Sequence, residues 1–140
     1  MEYKIFVDTN IIFEHAVERE FGEDCRNIFN LAEDEKIRCH CSIASLYTLE
    51  YVLRKHRSQT EIKYMLNKYL QFIHLICPQQ NKIQQALVSS FKDIEDAFQY
   101  YTALHHTDFF ITLNKKDFVK HSLPDLEILT PSEFLKHYFN

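Results

Sequence analysis

Five short apolar runs punctuate this chain, at 3–7 (YKIFV), 37–41 (IRCHC), 73–76 (IHLI), 109–112 (FFIT) and 126–129 (LEIL). Taken together they read as apolar stretches rather than as strict period-two alternation. Strands of that kind are covered on both faces, as in parallel sheets, and parallel neighbours need a crossover helix between them. Helical periodicity fills the intervals. It predicts helices at about 11–17, 21–34, 44–57, 60–72, 79–90 and 93–106, with one turn at 115–120. In the second of these, Phe21, Cys25, Ile28, Phe29, Leu31 and Ala32 share a side. A last helix opens at TPSEF, with Thr130 as N-cap, Pro131 at the first helical position and Glu133 in the capping-box place. The expected fold is one three-layer α/β/α domain over 1–140, with a central, mostly parallel sheet of about five strands.

A chain of 140 residues can bury its core without disulfides or a structural metal. One glycine, Gly22, and three prolines are too few for the tight turns of a β-sandwich. No apolar run of about 18 residues is present, which excludes a membrane-spanning helix. The opening MEYKIFVDTN lacks the features of a signal peptide, so the expected location is the cytoplasm. Cys25, Cys39, Cys41 and Cys77 are read as reduced structural thiols, because Cys39-x-Cys41 is shorter than a zinc knuckle.

Several chemistries are removed by what the chain lacks. The eight histidines form no HExxH pattern and read as surface or packing residues. No GxSxG elbow surrounds a serine, and a single glycine cannot build a dinucleotide or P-loop cradle. The net charge of −4 carries no basic surplus. Arg54–Arg57 and Lys115, Lys116 and Lys120 are local basic clusters, read first as solvated helix ends and secondly as contacts to a nucleic-acid backbone. Tyr47, Tyr51, Phe98, Tyr100 and Tyr101 are read first as core, with any exposed tyrosine a surface for stacking bases.

The acidic residues fall where parallel sheets bind ligands, beyond the carboxyl ends of the strands at the point where strand order reverses. Asp8 ends the first strand, Asp96 lies in the first turn of a helix, and Asn114 and Asp117 follow the fourth strand. Each has a plain alternative reading. Asp8 and Asn10 suit helix capping, and Asp93, Glu95 and Asp96 favour a helix N-terminal dipole.

Three ordered segments, FVDTNII, EDAFQYYTAL and FFITLNKKDF, resemble the PIN-domain family, most of all the toxin ribonucleases of bacterial toxin–antitoxin pairs. The resemblance covers nearly the whole chain and implies a PIN-like, Rossmannoid fold. It also implies an endoribonuclease in which Mg²⁺ or Mn²⁺, held by carboxylates, hydrolyses RNA phosphodiesters. A cognate antitoxin and a homodimer are the implied partners, and no membrane is. Asp8 and Asp96 match metal-ligand positions and, with Asp117, form the implied catalytic set. Thr9, Asn10, Thr48 and Thr112 are the implied supporting residues around them.

Two positions depart from the family pattern. The register where relatives carry a glutamate, three residues after Ser45, holds Thr48. Glu50, a candidate metal ligand, lies two residues on; about 200° of helical rotation turns it off the site unless the helix start is shifted, in which case it joins the metal set. The second carboxylate of the closing motif is Asn114, whose amide oxygen can ligate a hard cation but adds no charge. Asp117, or Asp93 and Glu95, would then supply the missing charge. A weakened PIN fold that binds RNA or protein without cutting is the alternative implied by these departures.

Overall fold

The structure is a computed structural model and describes residues 2–139. Its elements run β1 (Tyr3–Val7), α1 (Thr9–Ala16), α2 (Gly22–Glu33), β2 (Ile37–Ser42), α3 (Ile43–Leu53), α4 (Gln59–Tyr69) and β3 (Ile73–Ile76). They continue with α5 (Gln80–Leu87), α6 (Ile94–Ala103), β4 (Phe109–Ile111), α7 (Lys115–Val119), β5 (Glu127–Leu129) and α8 (Pro131–Tyr138). All strand pairs are parallel, in the order β3-β2-β1-β4-β5. The sequence-based layering is therefore found, and strand order reverses between β1 and β4.

Alternate residues of β1 feed two cores, as the pleat requires. Ile5 and Val7 pack with Ile11, Ile28, Leu49, Leu53 and Phe134, from α1, α2, α3 and α8. Phe6 packs on the other face with Phe110, Tyr100, Ala103 and Phe118, from β4, α6 and α7. Burying both faces makes β1 the rigid centre of the sheet, and the residue that leaves it is correspondingly well placed. In β2 the pattern differs: Arg38 is exposed and His40 half-buried, so this strand alternates where a continuously apolar one was expected.

Helix ends depart from the sequence reading for local reasons. The first helix starts at Thr9 rather than Ile11, because Asp8 itself is the N-cap and its side chain accepts from Thr9 N–H. The third ends at Leu53 rather than 57, and Ser58 begins α4 with a complete capping box. The sixth ends at Ala103 rather than 106; Leu104 has extended ψ, and His105 takes positive φ to turn the chain toward β4. Thr130 and Glu133 form the expected capping box on α8.

Two packing expectations fail. Tyr47 and Tyr51 are 72% and 65% exposed, whereas Tyr100 is wholly buried. The two exposed rings lie one turn apart on α3. Cys25, Cys39 and Cys41 are buried free thiols, but Cys77 is exposed just after β3. Burial pushes the thiols of Cys25 and Cys41 up to about 12, which keeps them protonated and inert.

Candidate active site

Asp8 stands at the carboxyl end of β1, beside the strand-order reversal, and only 7% of it is exposed. Its Oδ1 accepts from Thr9 N–H at 2.8 Å, and its Oδ2 accepts from the Thr112 hydroxyl at 2.9 Å. Thr112 lies directly after β4, so this second bond ties together the ends of two adjacent strands. Burial, the main cause, pushes the Asp8 carboxyl up to about 7; the Thr112 hydrogen bond opposes this, and the charges of Asp96 and Glu95 add to it.

The second acid comes from a segment far along the chain. Asp93 caps α6 by accepting from Asp96 N–H at 3.0 Å, which fixes Asp96 in the first helical turn. The Asp96 carboxyl is pushed up to about 6, first by desolvation and then by Asp93, Asp117 and Glu95. Asp8 and Asp96 both line one cavity of about 280 Å³, which Asp93, Glu95, Thr48 and Asn114 also border. Desolvation raises both carboxyls first, and the like charges gathered in the partly dry cleft add to it.

Other side chains brace the acids. Asn10 Nδ2 donates to the Thr112 hydroxyl at 3.4 Å, and its Oδ1 accepts from Leu113 N–H at 3.5 Å. Beneath the cavity, the Thr9 and Ser45 hydroxyls lie 2.7 Å apart, and Gln99 Nε2 donates to both at 3.2 and 3.3 Å. Gln99 Oε1 is buried without a partner. The sequence reading omitted this buried glutamine, one turn after Asp96 on α6. A glutamine at helical spacing from Asp96, flanked by the apolar Ala97, Tyr100 and Ala103 of the buried stripe, was the available signal.

The remaining sequence candidates separate. Asn114 is the N-cap of α7 but makes no side-chain cap bond, so its amide is free at the cavity wall. Asp117 is exposed in the first turn of α7, close enough to raise Asp96 but not on the wall of the cavity. Thr48 lines the cavity, while Glu50 is bound to Arg54 and Gln59 on the outside of α3, as the helical rotation requires. Lys115 Nζ donates to both carboxylate oxygens of Glu133, at 2.9 and 3.0 Å; Lys116 is exposed.

Among the described residues, no three His, Cys, Asp or Glu side chains form a ready metal cage. The cavity instead offers oxygen donors only, two of them carboxylates with raised pKa. That donor set suits a hard cation such as Mg²⁺ or Mn²⁺. Mg²⁺ in particular keeps several waters and is commonly held by one or two carboxylates together with substrate phosphates, rather than by an all-protein cage.

The chain is 25% identical over 144 residues to Ribonuclease VapC1 of Aquifex aeolicus, covering 96% of this chain and 95% of that protein. A chain of VapBC2 from Rickettsia felis, solved bound to a DNA fragment from its promoter, superposes with a TM-score of 0.70 at 16% identity. That match covers 91% of this chain and 98% of the other. A toxin–antitoxin complex from Klebsiella pneumoniae gives a TM-score of 0.66 at 21% identity, covering 91% and 97%. At these identities the likeness to the solved structures is one of fold. The PIN domain profile matches residues 4–116, a span that includes Asp8, Asp96 and Asn114, and the chain belongs to the PIN-domain family.

Proposed function

We propose that this protein is a Mg²⁺- or Mn²⁺-dependent endoribonuclease and the toxin of a toxin–antitoxin pair, hydrolysing RNA phosphodiesters at the Asp8–Asp96 cavity. The observation that carries this reading is the meeting of two carboxyls in one cleft, Asp8 from the end of β1 and Asp96 from the first turn of α6, both pushed up, to about 7 and 6. The resemblance to a protein named as a ribonuclease and the fold shared with toxin–antitoxin complexes support it.

A divalent ion bound here would supply an activated water and neutralise charge developing on the phosphoryl oxygens. Asp8 and Asp96 would hold it. Asn114 would contribute a neutral oxygen, and Asp117 would lend charge from the next turn. Thr9 N–H and the Thr112 hydroxyl, itself held by Asn10, fix the Asp8 carboxylate, so no reorganisation is needed as substrate arrives. The Thr9, Ser45 and Gln99 cluster holds α1, α3 and α6 at fixed separation around the cleft. Lys116 stands free to meet the RNA backbone, whereas Lys115 is engaged by Glu133. A cognate antitoxin would block the acidic cleft, a second copy of the chain would form a homodimer, and the site of action would be the cytoplasm. Among the described residues no helix is long and apolar enough to cross a membrane.

A second reading, a catalytically weakened PIN fold that binds RNA or protein, is favoured by one observation: the cavity holds the uncharged Thr48 and Asn114 at the two positions where the family resemblance implies acids. Mn²⁺ titration with an RNA cleavage assay separates the two. The ribonuclease binds Mn²⁺ through Asp8 and cuts RNA only when it is present; a module that binds no Mn²⁺ and cuts nothing sinks the first reading.

A further inference from the structure

A larger cavity, of about 600 Å³, opens beside the acidic cleft and shares Asn10, Phe13 and Asn114 with it. Its far wall is the loop after α1, which is built onto that helix. Arg19 N–H donates to the Glu14 carbonyl at 3.2 Å, and Phe21 N–H donates to Glu14 Oε1 at 3.3 Å. Glu14 is buried, with 8% exposed, and among the described residues its Oε2 makes no hydrogen bond. Phe21 is 47% exposed on the rim, and the Arg19 guanidinium sits 4.9 Å from the centre of the Phe13 ring.

We infer that this cavity is a nucleobase subsite, taking the base next to the scissile phosphate and preferring guanine; the inference rests on the ribonuclease reading. An apolar rim with aromatic faces suits a flat ring, and base–aromatic stacking is tolerant of sequence. Glu14 and the neighbouring Glu20 outnumber Arg19 in this lining, and the net negative charge disfavours a phosphate relative to a neutral base. A carboxylate only accepts hydrogen bonds. It therefore reads a base edge made of N–H donors, and guanine presents two side by side on its Watson–Crick edge, where the other bases present one donor group. The shared Asn10 and Asn114 walls make this cavity continuous with the acidic cleft, so a base here and a phosphate there would belong to neighbouring parts of one strand.

The test uses the four neutral ribonucleosides, titrated into the full chain in EDTA and followed by amide chemical shifts. Neither a metal nor cleavage is required, so the cavity and the ribonuclease reading fail separately. Guanosine is expected to shift Glu14 and Phe21 and to bind about tenfold more tightly than the others. Phe21→Ala, on the exposed rim, should weaken all four at least about fivefold. Glu14→Gln should remove the preference for guanosine, and if that variant unfolds, Phe21→Ala and Arg19→Ala carry the test. Equal, weak shifts for all nucleosides that Phe21→Ala leaves unchanged would overturn the proposal. So would binding of a short arginine–leucine peptide at these residues with no nucleoside binding, which would mark a protein interface. Guanosine binding by a protein that cuts no RNA would support the cavity and remove the ribonuclease reading.

Discussion

The Thr112 hydroxyl donates to Asp8 Oδ2 at 2.9 Å across 104 residues of sequence, joining the carboxyl ends of β1 and β4 where the strand order reverses. It is the one side-chain hydrogen bond that lowers the pKa of a carboxyl otherwise raised by burial. Thr112→Val keeps the shape and removes the donor. The Asp8 pKa should rise further, and Mn²⁺ affinity at pH 7 should fall several-fold, measured by titration calorimetry; Thr112→Ser should restore most of it. Equal affinity in all three proteins would show that the bond does not tune the site.

Stability should depend on pH through the same carboxyls. Asp8 titrates near 7 in the folded chain against 3.8 for a free side chain, and Asp96 is raised to about 6. Between those limits the folded state holds protons that the unfolded chain has released, so stability is full below about pH 4 and falls as pH rises toward 7. Thermal melts in EDTA should show this decline for these two groups. Asp8→Asn, which keeps the cap acceptor, should flatten it, and Mn²⁺ should raise the melting temperature most at the alkaline end. A slope unaffected by Asp8→Asn would contradict the assignment.

Asp8→Ala and Asp96→Ala should each abolish Mn²⁺-dependent RNA cleavage, by at least about a hundredfold, with circular dichroism unchanged. Asp96→Ala removes a half-buried acid repelled by its neighbours, so in the absence of metal the fold should not be weakened. Full cleavage by either variant, from preparations free of other nucleases, would remove that residue from the mechanism.

The corner where the chain departs from its relatives is tested by charge. Asn114→Asp adds a carboxylate at the wall of the cleft, and Mn²⁺ should bind more tightly through the added Coulomb attraction. Asp117→Asn should weaken binding modestly, because Asp117 acts from outside the cavity. Glu50→Gln should leave it unchanged, since Glu50 faces Arg54 on the opposite side of α3. A metal affinity that follows Glu50 and ignores Asn114 would reverse this picture.

Ser45→Ala should cost about 1 kcal/mol in urea denaturation. The change removes a buried hydroxyl shared by Thr9 and Gln99, which stay bonded to each other. A loss well above that value would mean that the α1–α3–α6 contact depends on Ser45 more than its hydrogen bonds account for.

Periodicity and composition alone determined the alternation of strands and helices, the parallel sheet and the position of Asp8 at a strand end. These are local properties: apolar runs, capping residues and the lack of turn formers act within a few residues of themselves. The rotation of α3 that carries Glu50 away and Thr48 in was legible for the same reason, since a helix has a fixed period. Only the tertiary structure decided which segments meet. The order β3-β2-β1-β4-β5 brings Thr112 to Asp8 and draws Thr9, Ser45 and Gln99 into one buried cluster. It also leaves Tyr47 and Tyr51 in solvent, though their spacing suits a core. The helices expected to reach 57, 90 and 106 end at Leu53, Leu87 and Ala103, because the mostly polar residues that follow each one have no buried stripe to hold them in the helix and the backbone turns there toward the next element. Burial, and with it the raised pKa of Asp8 and Asp96, belongs to the packed chain, because desolvation depends on neighbours that sequence distance does not reveal.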